Sequence, residues 1–408
     1  MSNKLSLRKM LRLPVRFATK LFFYKLVYPT IYRRHAKQPI DERRVLFVEL
    51  RHKEISNSMA RIQNYLRDNT DCVISECCLR FASVPLRQFV KNCIELTKAA
   101  ATAKYIITTD RSRELSCLPL RDETVVMQVW HGCGAFKKFG RSVADSEYGL
   151  SSREIKRFPL YRHYDYITVS SPEVRWAYEE AFGVGIDNDA EVVATGISRT
   201  DVFFEESYRT GASEKFYRTV PQARNKKIVL YAPTFRGFSG QAEAPDALDL
   251  EYLHERLGDE YFIAVKHHPC IKKRPDVPEH LRSFACDVTD SMTIDDMLWV
   301  SDICVSDYSS LVFEYSLFER PMIFFAYDIE QYDGLRGFYY PFEEFTPGPI
   351  VKTNEQLADH ILDSDNFDRR RIIDFREKFM ASCDGHATER IVSLMLGEDK
   401  DKRIVPKF

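Results

Sequence analysis

The chain has 408 residues, too many for one ordinary hydrophobic core, and its 44% apolar content is enough for two domains. The formal net charge is −1, but residues 1–40 carry ten Lys or Arg and no acidic residue. Subtracting these ten charges leaves about −11 on residues 41–408. A cationic tail on an acidic body argues against a nucleic-acid partner, because such a protein needs basic charge on its folded domain.

The ten cysteines have neither a C-x-x-C pair nor a regular spacing. Most lie inside apolar, strand-like runs, which is typical of the reduced thiols of a cytosolic protein. Neither the cysteines nor the histidines have the spacing of zinc ligands, so we expect no metal and no cofactor. The sequence also lacks a P-loop and a strand-linked G-x-G-x-x-G motif, which excludes the common nucleotide-binding loops.

The basic N-terminal segment, residues 1–40, predicts an amphipathic membrane-associating helix. Its longest uninterrupted apolar run covers residues 21–24, far short of the roughly 20 residues that a membrane span requires. Apolar residues recur every three to four positions with basic residues between them, which favours a helix lying on an anionic membrane surface. Tyr24, Tyr28 and Tyr32 would then lie among the lipid headgroups. A helix packed on the protein's own body and an organelle transit peptide are the alternatives.

Beyond residue 40, short β-rich runs alternate with helical stretches, the pattern of parallel sheets covered by helices. The first set of predicted strands covers residues 44–50, 72–79, 105–110, 124–130, 166–171 and 192–196. A polar stretch interrupts the pattern, and the second set covers residues 227–235, 261–267, 284–288, 302–307 and 321–327. The sequence therefore predicts an α/β protein with two Rossmann-like domains, residues 41–212 and 213–408.

Polar motifs follow several predicted strands, the position at which open α/β sheets bind ligands. One is a strand end that runs into a helix, where exposed N–H groups form a receptor for phosphate. Its candidate residues are Ser306, Asp307, Ser309 and Ser310. Side chains of this kind also serve as plain helix caps, which is the alternative interpretation.

Two further strand ends carry the motifs "KHHP" and "APTFRG". Lys266 and His268 would supply charge and hydrogen bonds to a cleft, although a single histidine is more often structural. Thr234 and Arg236 would bind a phosphate, since a guanidinium makes paired hydrogen bonds to such groups. A surface ion pair is the alternative for Arg236.

The stretch "QVWHGCGAFKKFG" is the most unusual part of the sequence. Trp130, His131 and Gly132 end a predicted strand, and glycine allows the backbone to approach a ligand closely. Lys137 and Lys138 add positive charge just beyond. We interpret this loop as the mouth of a reaction site, with a glycine-rich turn carrying solvated lysines as the alternative.

Six ordered blocks, "WHGCGAFKKFG", "ATGISRTDVF", "YAPTFRG", "KHHP", "SDYSSLVFEYSLFERPMIFFAYD" and "YDGLRGFYYPFEEFTPGP", together resemble the CDP-glycerol glycerophosphotransferase family of teichoic acid primases and polymerases. The resemblance covers roughly residues 125–395. It implies a GT-B fold, with two Rossmann-like domains facing across a cleft. It also implies a CDP-polyol donor on the second domain, a lipid-linked acceptor on the first, and peripheral attachment to a membrane.

The resemblance also implies roles for individual residues. It makes His131 the general base and places His268 on the pyrophosphate. The donor and phosphate-binding set implied by motifs and resemblance is Thr234, Arg236, Lys266, Ser306, Asp307, Ser309, Ser310 and Glu314. Glu314 enters this set by analogy with the ribose-binding carboxylate of GT-B folds. The acceptor-side set is Trp130, Gly132, Lys137, Lys138, Arg199 and Asp201.

The function implied is transfer of glycerol phosphate from CDP-glycerol to a lipid-linked hydroxyl, with release of CMP, at the cytoplasmic face of the plasma membrane. Transfer from CDP-ribitol, or a capsule polymer phosphotransferase of the same fold, is the alternative, and transfer from a nucleotide sugar by the same fold is a second alternative. A membrane-bound recognition protein with a degenerate cleft is a non-enzymatic alternative. The sequence leaves the oligomeric state open.

Overall fold

Twelve strands in the described part of the chain form two separate parallel sheets. The structure is a computed structural model that describes residues 17–147, 149–237 and 242–397, without the side chains of residues 333–336. The first sheet has the order β2-β1-β3-β4-β5-β6 and contains Asp41–Glu49 (β1), Val73–Cys78 (β2), Ala103–Thr108 (β3), Val125–Gln128 (β4), Tyr166–Thr168 (β5) and Glu191–Val193 (β6). The second has the order β12-β11-β10-β7-β8-β9 and contains Lys227–Tyr231 (β7), Tyr261–Val265 (β8), Ala285–Asp287 (β9), Ile303–Ser306 (β10), Met322–Phe325 (β11) and Ile350–Val351 (β12).

Helices connect these strands and cover both sheets. In the first half they are Tyr28–His35 (α1), Asn57–Asn69 (α2), Leu86–Ala100 (α3), Arg113–Ser116 (α4), Ser152–Arg157 (α5), Arg175–Phe182 (α6) and Glu206–Thr219 (α7). In the second half they are Leu250–Leu257 (α8), Ile294–Val300 (α9), Leu311–Ser316 (α10), Ile329–Arg336 (α11), Phe342–Phe345 (α12), Asn354–Leu362 (α13), Arg369–Phe379 (α14) and Ala387–Leu396 (α15). We call the two sheets, each with its helices, the N-terminal lobe and the C-terminal lobe.

Burial on both faces explains why these runs form strands. In β1 the consecutive residues Val45, Leu46, Phe47 and Val48 are all buried, as expected for an inner parallel strand covered by helices on either side. Each of the eleven predicted strand runs overlaps a strand of the structure. The short strand β12 was not predicted, because two residues carry no recognisable pattern.

Strand order determines where the loops converge. In the second sheet the chain moves outward from β7 through β8 to β9, and then returns to β10 on the other side of β7. The loops that follow β7 and β10 therefore leave the sheet at the point where its order reverses, the usual ligand position in such sheets. In the first sheet the loop after β4 lies next to the loop after β3.

The last described helix returns to the first sheet. Ile391, Val392 and Met395 of α15 are buried in one hydrophobic cluster with Val45 and Met127 of the N-terminal lobe. The predicted division at residue 212 stays a prediction, and this helix, which comes after it in the sequence, packs on the first sheet. Nothing in the order of the elements along the sequence indicated that α15 crosses back to the first sheet.

The N-terminal segment differs from its prediction in the part that the structure describes. Helix α1 is preceded by a π-helical turn, Phe22–Val27, and Tyr28 and Tyr32 are buried against the body at 2% and 1% exposure. The placement of these two tyrosines in a headgroup layer was therefore wrong. Residues 1–16 of the predicted amphipathic segment lie outside the described residues, and no described helix has the length and hydropathy of a membrane span.

The two lobes touch where a glycine allows close approach. Gly134 has a φ of +61°, and a Cβ built on it would lie 2.2 Å from the ring of Phe313 in α10. Its amide donates a hydrogen bond to the hydroxyl of Ser170 at 2.9 Å. A residue with a side chain would force this loop of the N-terminal lobe away from α10.

We expect Gly134→Ala to lower the free energy of unfolding more than Gly185→Ala does. Gly185 has a similar φ of +75° but open space around its Cβ position, so the control carries the backbone strain alone. The overpacking at Phe313 should add about 1–3 kcal/mol to the loss at Gly134. Urea unfolding of both variants measures the difference, and equal losses would contradict the proposed contact.

Candidate active site

A cavity of about 650 Å³ lies between the lobes and is lined by the loops that follow β4, β8 and β10. Eleven of the sequence-predicted site residues line it: Trp130, His131, Gly132, Lys137, Lys138, Arg199, Lys266, His268, Ser309, Ser310 and Glu314. Five others are not among the described lining residues: Asp201, Thr234, Arg236, Ser306 and Asp307. The structure therefore brings the two motif histidines into one cavity.

The His131 ring is held in one orientation. Its Nδ1 lies 3.0 Å from the carbonyl oxygen of Thr109, which follows β3. Because a carbonyl only accepts, Nδ1 carries the proton and donates it, which leaves the lone pair on Nε2. An imidazole in this tautomer is prepared to accept a proton at Nε2.

Trp130, the residue before His131, has a strained backbone conformation. Trp130 has a φ of +49°, unusual for a bulky residue, and its amide donates to the Oε1 of Gln128 at 3.0 Å. The indole lies against the His131 ring, with the ring centroids 4.1 Å apart, and stacks on Phe139 at 5.0 Å. Strain of this kind persists only where packing enforces it, and it is concentrated at functional sites.

His268 is held in the opposite tautomer in the C-terminal lobe. Its Nδ1 accepts a hydrogen bond from the amide of Cys270 at 3.2 Å, so in the neutral ring the proton is on Nε2. Partial burial in the cleft lowers the pKa of His268, and the positive charge of Lys137 lowers it further. The ring is therefore neutral near pH 7 and can donate from Nε2.

Lys266 and His267 precede His268. The ammonium of Lys266 donates to the carbonyl of Thr289 at 2.6 Å, and burial lowers the pKa of this lysine although Asp287 and Asp290 oppose the shift. His267 is 4% exposed, and burial lowers its pKa as well.

The two lysines of the N-terminal loop are positioned by the other lobe. Lys137 pairs through its backbone with Phe338, and the amide of Lys138 donates to the carbonyl of Gly337 at 3.1 Å. The ammonium of Lys137 lies 3.4 Å from the hydroxyl of Tyr332. Both lysines therefore lie at the contact between the two lobes.

Arg199 connects the lobes inside the cavity. Its Nη2 lies 3.0 Å from the Oε1 of Glu314 and 3.2 Å from the Oδ1 of Asp295, both in the C-terminal lobe. Burial raises the pKa of Glu314, and the charge of Arg199 opposes that rise. In this structure the predicted ribose carboxylate and the predicted acceptor-side guanidinium bind each other.

Arg236 and Asp307 act inside the protein. The guanidinium donates to Asp307 at 2.9 Å and to both carboxylate oxygens of Asp328, at 2.7 and 2.9 Å. Asp307 also accepts from the amide of Thr234 at 2.8 Å. These contacts tie the loops after β7 and β10 together, and the phosphate contacts expected of these residues stay a prediction. The hydroxyl of Ser306 likewise donates to a backbone carbonyl, that of Ala232, at 2.7 Å.

Asp201 also has a structural role, not the predicted acceptor-side one. Its carboxylate is 3% exposed and accepts from the amides of Ala387 and Thr388, at 3.1 and 2.7 Å, and from the Thr388 hydroxyl at 2.6 Å. It therefore caps the first turn of α15 and holds that helix on the N-terminal lobe.

Sequence reasoning missed two supporting residues, Tyr178 and Thr109. The hydroxyl of Tyr178 in α6 donates toward the carbonyls of Gly132 and Gly134, at 3.3 and 3.0 Å, and so shapes the His131 loop. Thr109 orients the His131 ring. Neither carries a local motif. Asp110 and Arg111 after Thr109 do form a polar strand end, which is the signal that could have drawn attention to this loop.

Known proteins resemble this chain over most of its length. A family model described as CDP-Glycerol:Poly(glycerophosphate) glycerophosphotransferase matches residues 30–397. The chain is 38% identical to a teichoic acid ribitol-phosphate primase of Bacillus spizizenii over 298 residues, 72% of this chain and 75% of that protein. It is 30% identical to a teichoic acid glycerol-phosphate primase of Bacillus subtilis over 310 residues, 75% of this chain and 77% of that protein.

A longer relative and a solved structure are also similar to this chain over most of its length. The chain is 33% identical to the teichoic acid ribitol-phosphate polymerase TarL of Staphylococcus aureus over 93% of this chain and 66% of that protein. A structure of a histidine-to-asparagine variant of the wall teichoic acid polymerase TagF with CDPG superposes with a TM-score of 0.73. That match has 22% identity and covers 96% of this chain and 98% of the other, which establishes a shared fold.

We expect Arg236→Ala to lower the free energy of unfolding by about 3–5 kcal/mol, because it leaves the buried Asp307 carboxylate without its cation. Arg256→Ala is the matched control, since the Arg256–Asp359 pair is exposed and should cost about 0–1 kcal/mol. Denaturant unfolding measures both. Unchanged stability together with lost donor binding would restore the direct phosphate role.

We expect Lys137→Met to raise the pKa of His268, because removing a nearby positive charge favours the protonated ring. Titration of the imidazole signals by NMR measures the shift. Lys138→Met is the control: its amide shares the same interlobe pairing, and Lys137 is the charge that lowers the pKa of His268. Equal shifts in the two variants would contradict the specific role of Lys137.

Proposed function

Because the chain belongs to the CDP-glycerol:poly(glycerophosphate) glycerophosphotransferase family, we propose that it transfers a polyol phosphate from a CDP-linked polyol to a hydroxyl group of a lipid-linked acceptor. The products are CMP and an acceptor lengthened by one polyol phosphate. The reaction belongs to teichoic acid synthesis, and the two lobes work as a GT-B-type pair. The enzyme acts at the cytoplasmic face of the membrane as a peripheral protein.

The observation that carries this proposal is the pair of opposite histidine tautomers in one cavity. His131 presents a lone pair at Nε2 because Thr109 holds its other nitrogen. His268 presents an N–H at Nε2 because the Cys270 amide holds its Nδ1. One ring accepts a proton and the other donates a hydrogen bond, which are the two tasks that phosphoryl transfer to an alcohol requires.

In the proposed step the acceptor hydroxyl oxygen attacks the phosphorus that bears the polyol. A new P–O bond forms, the bond to the bridging oxygen of the diphosphate breaks, and CMP leaves with that electron pair. Nε2 of His131 takes the proton of the hydroxyl. His268, Lys266 and the amide groups at the start of α10 stabilise the negative charge on the phosphate oxygens.

The proposal has two candidates for the polyol that is transferred. The family description names glycerol, which matches the expectation from the sequence. Ribitol is the second candidate, and identity favours it: the chain is 38% identical to a ribitol-phosphate primase and 30% to a glycerol-phosphate primase. Both reactions use the same phosphate chemistry and differ only in the chain that the cavity must hold.

We expect His131→Ala to lower kcat by about 10²- to 10⁴-fold, the usual contribution of a general base, with donor binding nearly unchanged. CMP release measures turnover, and thermal stabilisation by the CDP-polyol measures donor binding. His280→Ala is the control, since this exposed histidine pairs with Glu251 outside the cavity. Loss of donor binding in the His131 variant would remove it from the base role.

The polyol is decided by comparing CMP release from CDP-glycerol and CDP-ribitol with the same acceptor. The proposed function predicts turnover with at least one of them, and the higher kcat/KM identifies the polyol. Absence of CMP release from both donors, with acceptor present, would contradict the proposed function.

A further inference from the structure

A second cavity, of about 1100 Å³, lies on the N-terminal lobe away from the histidines. We call it the aromatic groove, and its apolar walls include Phe17, Tyr24, Phe81, Leu86, Phe89 and Phe158. Phe158 lies at its base at 2% exposure and contacts the rings of Phe17 and Tyr24. The lining also contains the Phe81–Phe89 ring pair, with centroids 5.6 Å apart.

The walls of the aromatic groove expose large apolar side chains to solvent. Phe17, Phe81 and Leu86 are 40%, 54% and 69% exposed, and they are three of the ten such residues in the described part of the chain. Phe81 lies between Arg80 and Ala82, which have φ values of 58° and 62°. Two non-glycine residues in the left-handed region are costly, so the backbone is strained where it presents an apolar ring.

The rim of the aromatic groove is cationic. Lys20, Arg153 and Arg157 line it together with one carboxylate, Glu154. That carboxylate is already neutralised, since it lies 2.7 Å from Lys20 and 3.2 Å from Arg113. An apolar channel with a net positive rim fits a molecule with a hydrocarbon chain and an anionic headgroup.

The aromatic groove lies on the same edge of the first sheet as His131. Phe81 follows β2 and its amide donates to the Leu50 carbonyl just beyond β1, at 2.8 Å, while His131 follows β4. From β2 to β4 there are three strand spacings of about 4.8 Å, or roughly 14 Å along the edge. A headgroup of several sugar or polyol phosphate units is long enough to span this distance.

We propose that the aromatic groove binds the hydrocarbon chain of a phosphate-bearing amphiphile, and that this is where the lipid-linked acceptor is held during transfer. The second part rests on the proposed function. The rim cations contact the phosphate, and the polar end of the acceptor extends along the sheet edge to His131. This assigns acceptor recognition to α3, α5 and the Phe81 turn, in addition to the catalytic loop.

The test uses the full chain and isothermal titration calorimetry with dodecyl phosphate below its micelle-forming concentration. We expect saturable binding of one molecule, no saturable binding of butyl phosphate in the same range, and at least tenfold weaker binding of uncharged dodecyl maltoside. Equal affinity for butyl and dodecyl phosphate would overturn the proposal, because the chain would then contribute nothing.

Leu86→Asp should raise the Kd for dodecyl phosphate at least tenfold. Leu86 is exposed and is the first residue of α3, where an acidic side chain favours the helix, so the variant should fold. Ile186→Asp is the matched control at another exposed apolar residue, 74% exposed, and should leave Kd within twofold. Unchanged binding in Leu86→Asp, or equal loss in the control, would overturn the proposal.

Arg153→Gln tests the contribution of the headgroup charge separately from that of the hydrocarbon chain. It should weaken the binding of dodecyl phosphate and leave the binding of dodecyl maltoside unchanged. Binding to vesicles of an anionic phospholipid, measured by co-sedimentation, is the comparison. Loss of that binding in Leu86→Asp with an unchanged Kd for dodecyl phosphate would make this face a bilayer contact and overturn the groove assignment. With a lipid-linked acceptor, Leu86→Asp should raise the acceptor KM at least tenfold and leave the donor KM unchanged. A failure of both CDP-polyols to release CMP would contradict the proposed function while the calorimetric result stands.

Discussion

The close approach of the 128–140 loop to the C-terminal lobe is the constraint on which the candidate site depends. Gly134 packs directly on Phe313, with no room for a Cβ, and the backbone beyond it pairs with residues 337–339. Arg199 adds a charged contact to Glu314 at 3.0 Å. Because of these contacts His131 and His268, which come from different sheets, share one cavity.

Electrostatics inside that cavity follow from the same geometry. Lys137 belongs to the N-terminal loop, but the lobe contact places its charge where it lowers the pKa of His268. The ring therefore remains a neutral donor, because a nearby positive charge disfavours its protonation. The two imidazoles have the same intrinsic chemistry, and a single backbone group next to each, the Thr109 carbonyl or the Cys270 amide, gives them opposite tautomers.

Two residues of the sequence-predicted site, Arg236 and Asp201, have structural partners inside the protein. Arg236 binds Asp307 and Asp328, and Asp201 caps α15. A charged residue at a strand end can serve either purpose, because a guanidinium can donate to a neighbouring carboxylate or to a bound anion. Which purpose applies depends on side chains that are distant in sequence, such as Asp328 for Arg236.

The sequence by itself determined the strands, their parallel pairing and the position of the polar motifs, because β-rich runs alternating with helices have few ways to be buried. Its strand-end motifs indicated nine of the residues that line the cavity, since loops after parallel strands meet at one edge, and the family resemblance added Arg199 and Glu314. Only the tertiary structure decided that α15 returns to the first sheet, that Tyr28 and Tyr32 are buried, and that Arg236 faces carboxylates. These features depend on contacts between residues far apart in the chain, whose packing no local pattern encodes.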